Sequence, residues 1–294
     1  MLDIKANIDA EKANGDNAFI RAARNGDMEC VRALLHAKED IEAKNAHGST
    51  ALIVAASGCN MACLQALLDA KADIEAKNVD GDTALFAAAQ DGHTACVLAL
   101  LDAKADIETK NTNGTTALLR AALNGQTACV QALLEAKADI AAKDVNGDTA
   151  LLRAAYKGHT ECVQALLDAK AHIEAEDVDG NTALLCAAYE GHTACAQALL
   201  DAKAHIEAKN ASGNTALLRA AYIGHISCAQ ALLDAKADIE AKNGDGDTAL
   251  LAAARDGHLA CLHALLDAKA DIEAKNVNSS TALLRAALNG QTAC

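Results

Sequence analysis

Proline and tryptophan are absent from the 294 residues, and aromatic residues make up only 2%, three Tyr and two Phe. The lack of proline excludes Pro-rich linkers and stalks. The scarcity of large aromatics leaves a single globular core of this length poorly supplied. No wholly apolar run exceeds the seven residues from Ala183 to Tyr189. A bilayer span needs roughly 20, so no membrane-spanning segment is expected. The opening MLDIKANIDAEK has no basic stretch leading into an apolar one, and no secretory signal is predicted. Basic charge is short as well: 26 Lys and Arg stand against 40 Asp and Glu, a net charge of −14. A phosphate backbone needs concentrated Lys and Arg, whereas here each Lys recurs beside an acid, as in DAKADIEAKN. Nucleic acid and anionic membranes are therefore not expected partners, and the acidity serves solubility.

What the chain does have is a period. Apolar residues reach 52%, enough to bury a core. Gly stands at 15, 48, 81, 114, 147, 180, 213 and 246, always 33 residues apart, with Ser279 in the ninth place. Thr follows two residues later from Thr50 to Thr281, with Asn17 in the first copy. Leu-Leu recurs in the same register from Leu34 to Leu266. One repeat accounts for the whole chain, without insertion or linker.

The copy at 146–178 shows how such a unit folds. Thr149 predicts an N-cap, its hydroxyl accepting an orphan N–H at a helix start. ALLRAAY then forms a short first helix, and its alanines let neighbouring backbones approach. Gly158 breaks the chain before a second helix, TECVQALLDA. There Cys162, Val163, Leu166 and Leu167 make one apolar stripe. The following AKAHIEAEDVDG reads as an extended loop or hairpin with its tip near Val178 and Asp179. Helices this short are marginal alone, so stability is predicted to come from stacking on neighbouring copies.

The string G-x-T-x-L-x-x-A-A-x-x-G-H, followed by L-L and A-D-I, resembles the ankyrin repeat, and the resemblance covers the whole chain. It implies an all-α fold, an ankyrin-repeat solenoid of stacked helix-turn-helix units with extended hairpin loops. The expected organisation is a single array over 1–294. It comprises a preceding repeat's tail at 1–13, repeats at 14–46, 47–79, 80–112, 113–145, 146–178, 179–211, 212–244 and 245–277, and a truncated ninth at 278–294. Neither end carries a polar capping repeat, and TALLRAALNGQTAC occurs at both 116–129 and 281–294. A piece of a longer array, or an incomplete gene model, is the expectation. Two departures bear on stability. The family's T-P-L-H is T-A-L-L here, which loses a favoured helix-start proline and a histidine that bonds between repeats. The helix-ending Gly is Lys, as at Lys71, Lys104 and Lys236, at a cost of about 1 kcal/mol per left-handed cap.

Nine of the eleven cysteines, from Cys30 to Cys294, share one repeat position. Equivalent helices should lie roughly 8–10 Å apart, too far for a disulfide's Cα separation of about 7 Å or less. Small buried thiols are predicted, and so many reduced cysteines fit a cytoplasmic compartment. His-x-x-Cys recurs, as at His192 and Cys195, but zinc needs four convergent ligands. The histidine of the family's G-H turn is expected to bond locally. The tip DVDGN at 177–181 has its Gly too early for a calcium loop, and GDGDTA at 244–249 is no dinucleotide loop. Every group able to join a catalytic set is a repeat constant, whereas a catalytic constellation brings unlike groups together once. No catalytic residue, metal or cofactor is expected.

With the scaffold constant, recognition should sit where copies differ. A mid-helix position of the first helix holds Arg21, Arg120, Arg153, Arg219 and Arg285, with Val54, Ala87, Cys186 and Ala252 elsewhere. The position after Ala-Ala holds Tyr156, Tyr189 and Tyr222 in three consecutive copies, then Arg255. The family resemblance places tips and first helices on a concave recognition face. It thus implies a tyrosine ladder bordered by Arg153 and Arg219, with Arg120 and Arg255 beyond. Tyr and Arg are enriched at binding hot spots. The expectation is a monomeric interaction module that anchors a protein or peptide partner, one bearing acidic groups, on this face. Copying of a single Tyr by duplication would give the same ladder without function. A recruiting segment of a larger enzyme and a non-specific spacer scaffold are the alternative functions.

Overall fold

The computed structural model describes residues 15–291. The expected tail at 1–13 and Cys294 lie outside these residues. The described chain is helical throughout, without a strand, and divides into two compact units at Val145 and Asn146.

The first unit holds α1 (Ala18–Asn25), α2 (Met28–His36), α3 (Ala51–Ser57), α4 (Met61–Asp69), α5 (Ala84–Asp91), α6 (Thr94–Asp102), α7 (Ala117–Leu123) and α8 (Thr127–Glu135). The second holds α9 (Ala150–Lys157), α10 (Thr160–Asp168), α11 (Ala183–Glu190), α12 (Thr193–Asp201), α13 (Ala216–Ile223), α14 (Ile226–Asp234), α15 (Ala249–Asp256), α16 (Leu259–Asp267) and α17 (Ala282–Leu288). Within each unit, odd-numbered helices pack on odd-numbered ones and even on even, and each repeat's pair packs on itself.

The local chemistry sets the ends of these helices. Thr182 is extended and its side chain accepts from the Leu185 N–H, capping α11. Gly191 ends that helix in the left-handed region. The second helices close differently. Lys203 N–H bonds Leu200 O and Ala204 N–H bonds Leu199 O, a Schellman closure with Lys203 at φ 68°. Eight lysines, from Lys38 to Lys269, hold this left-handed position, so the cost expected from losing glycine is present in each copy.

Packing follows the apolar register. In the second unit Leu184, Leu217 and Leu250 are buried, as are the alanines Ala187, Ala188, Ala220 and Ala221. The alanines let first helices approach, and the leucines fill the layer between first and second helices. The inter-repeat loops are chains of turns. Asp177 accepts from its own turn at Asp179 N and Asn181 N, at 2.9 and 2.8 Å. Successive tips are joined by backbone bonds, as from Ala211 N to Asp179 O at 2.9 Å and from Gly244 N to Ser212 O at 2.9 Å. Glutamates add a second ladder: Glu207 accepts from Asp238 N, and Glu240 from Asp271 N, each at 2.7 Å. Loops without strands thus satisfy their backbone between repeats.

Candidate functional site

Thr caps fix where each first helix starts, and the tip ladder fixes the turns beside it. Together they form one face of the second unit, on which the variable residues stand. Tyr156 and Tyr222 are exposed there and Tyr189 is half-buried. The Arg219 guanidinium lies 4.2 Å over the Tyr189 ring and hydrogen-bonds the side-chain oxygen of Asn181. Arg255 lies 4.6 Å over the Tyr222 ring and pairs with Asp256 at 3.0 Å. Arg153 pairs with Asp148 at 3.0 Å. These contacts hold the rings and guanidiniums in one arrangement.

Two cavities open on this face. The larger, about 580 Å³, is lined by Tyr189, Arg219, Tyr222 and Arg255, over Ala252. The smaller, about 340 Å³, is lined by Arg153, Tyr156, Tyr189 and Arg219, over Cys186. The structure therefore gathers six of the seven residues singled out in the sequence around two neighbouring cavities. Arg120 belongs to the other unit, where it lies 4.8 Å over the Phe86 ring.

The arginines that border the ladder have partners within the chain. Asp148, Asn181 and Asn214, at the variable position after the turn glycine, line the cavities as polar counterparts that were not among the named site residues. The available signal was the register: each follows the turn glycine directly. Glu190 sits beside Tyr156, and its charge, with burial and a hydrogen bond, pushes the phenol above its ordinary range.

Histidines of the G-H turn bond across repeats rather than locally at His93, His192 and His258. His192 Nε2 meets Tyr156 O at 3.1 Å and His258 Nε2 meets Tyr222 O at 3.0 Å, each reaching the preceding repeat. They tie the carbonyls of Tyr156 and Tyr222 to the following copies, and so help fix the ladder. The ten described cysteines carry free thiols. Cys195 and Cys228 contact the hydroxyls of Thr160 and Thr193 in the preceding repeat, both at 3.3 Å. Burial pushes the Cys96 and Cys186 thiols up to about 12, so they stay protonated and unreactive at neutral pH. Among the described residues no group of three or more His, Cys, Asp or Glu is placed to hold a metal. No described helix is long and apolar enough to cross a membrane.

The fold and this face define a tandem helix-turn-helix repeat protein, whose variable side chains are displayed on a regular frame. The chain belongs to the ankyrin-repeat family: the family model described as "Ankyrin repeats (3 copies)" matches residues 1–78, 60–144, 137–210, 172–243 and 217–294. Among solved structures it is similar to the human ASB11 ankyrin repeat domain. The two are 28% identical, over 70% of this chain and 92% of that one, with a TM-score of 0.64. No curated protein gives a significant match. Ankyrin repeats are in general protein–protein interaction modules.

Proposed function

We propose that the chain binds a protein or peptide partner on the face formed by the first helices and turns of its second unit, and performs no chemistry of its own. Tyr156, Tyr189 and Tyr222 are the anchors; Arg219 and Arg255 hold the last two, and Arg153 stands beside them in the same cavity as Tyr156. The observation that carries this reading is the pair of stacked contacts, Arg219 on Tyr189 and Arg255 on Tyr222, beside two open cavities. Rings already fixed in place lose little freedom on binding, which favours affinity, and exposed tyrosines beside arginines are the composition of hot spots. The free thiols favour a reducing, cytoplasmic setting.

Affinity capture from lysate of the source cell tests this, comparing the intact chain with Tyr156→Ser/Tyr189→Ser/Tyr222→Ser after circular dichroism has shown equal helicity. The expected result is a partner retained by the intact chain and lost by the variant. Equal capture by both would make the tyrosine ladder a relic of duplication and remove the face from consideration.

A further inference from the structure

The mid-helix arginines explain the cavities. Arg219 and Arg285 reach back across the preceding repeat, whereas Arg153 pairs with Asp148 of its own repeat. Arg219 bonds Asn181, 38 residues earlier, and covers Tyr189. Arg285 reaches Asp247, also 38 residues earlier, at 2.5 Å. Where the arginine is replaced by a small residue, its place is open. Cys186, Ala252 and Ala87 each line a cavity, and each cavity is also lined by the residue 38 positions before: Asp148, Asn214 and Ser49 respectively. Each cavity, or seat, lies where a mid-helix arginine of its own copy would stand, and that copy carries cysteine or alanine instead.

The seat over Cys186 is the best equipped. Asp148 stands where Asn181 stands for Arg219, and Tyr156 stands where Tyr189 does. Asp177 and Asp179 also line it, so three carboxylates face two guanidiniums, those of Arg153 and Arg219. Asp148 already holds Arg153 at 3.0 Å, and Glu190 lies beside Tyr156 as a further negative charge. The seat over Ala252 offers Asn214 and Asp245, beside Tyr222, which lies under Arg255, and Asp247, which holds Arg285. Both combine a tyrosine that already carries a cation, Lys157 on Tyr156 and Arg255 on Tyr222, with oxygen acceptors beside it, surroundings in which a second, planar guanidinium fits better than a point ammonium.

We propose that the partner supplies the missing guanidinium: the bound segment is an extended basic peptide with one arginine in the seat over Cys186 and a second over Ala252. This deepens the proposed function and rests on it. The two seats are two repeats apart, with Arg219 between them. Packed helices lie roughly 8–10 Å apart, so the seats are separated by roughly 16–20 Å. An extended chain advances about 3.3 Å per residue, which places the arginines about five or six residues apart. An acidic segment would instead meet the carboxylates of both seats.

The test is selection from a random dodecapeptide phage library on the intact chain, with synthesis of the winning peptide and anisotropy titration against variants. Cys186→Arg fills the seat with the residue that copies on either side already carry at that position, so folding is preserved. The expected winners carry two arginines five or six residues apart, and C186R weakens the winner about tenfold or more, as loss of a charge-assisted contact requires. Replacing the peptide's first arginine by glutamine should weaken it equally and add nothing in C186R. Winners without arginine enrichment, or a winner bound equally by C186R, overturn the seat proposal. If such a winner is still lost by Tyr189→Ser/Tyr222→Ser, the interaction face stands. If it is not, or no peptide is selected, both readings fall.

Discussion

Replacing Leu217 by Ala will lower the free energy of unfolding by about 3 kcal/mol, within the range of about 2–5 kcal/mol for removing a buried leucine side chain and leaving a cavity. Leu217 is 1% exposed, held between α13 and its neighbours. The internal control is Leu283, the same repeat position in α17, which is 71% exposed. Leu283→Ala will stay within about 0.5 kcal/mol of the unaltered chain, because a side chain left in water has little packing to lose. Urea denaturation followed by helicity measures both. Equal losses at the two positions would contradict the view that each copy is stable only through its neighbours.

Gly224→Ala will be comparably damaging, at about 2–3 kcal/mol, through two effects that act together. The backbone at Gly224 has φ 92°, a conformation that resists any side chain. An added Cβ would also lie 2.5 Å from Nδ1 of His258, whose Nε2 meets Tyr222 O at 3.0 Å. The ring must then move and the contact between repeats is lost. Gly224→Ala/His258→Ala separates the terms: removing the ring relieves the clash and leaves only the backbone cost. The same denaturation experiment reads the difference. A Gly224→Ala variant as stable as the parent would show that the turn does not need glycine.

The period carried most of the fold. Thr182 and its equivalents marked helix starts because a hydroxyl at that position has an N–H to accept from, and the structure shows that bond. The lysine caps were also legible, since Lys203 follows the second helix where a left-handed residue must stand, and it does so at φ 68°. The shared register of Tyr156, Tyr189 and Tyr222 was visible in the same way.

Contacts made by long side chains were not legible. A repeat position identifies a residue's place on a helix but not the direction of a flexible side chain. The register places Arg219 at the border of the tyrosine ladder, but does not show that its side chain lies on Tyr189 and bonds Asn181. His192 was read as a local turn residue, yet it bonds Tyr156 O in the preceding repeat. The cavities were hidden for a related reason: they mark an absence, a cysteine or alanine where other copies have arginine. Such a gap acquires meaning only once an occupied seat shows how far the arginine reaches.

The most direct measurement is backbone hydrogen exchange of the intact chain with and without the partner it captures. Binding at the tyrosine face predicts added protection in α11 and α13 and in the turns at 210–214 and 243–247, with the outer helices α10, α12 and α14 unchanged. Protection confined to those second helices, or spread evenly along the chain, would contradict the assignment of the interaction face.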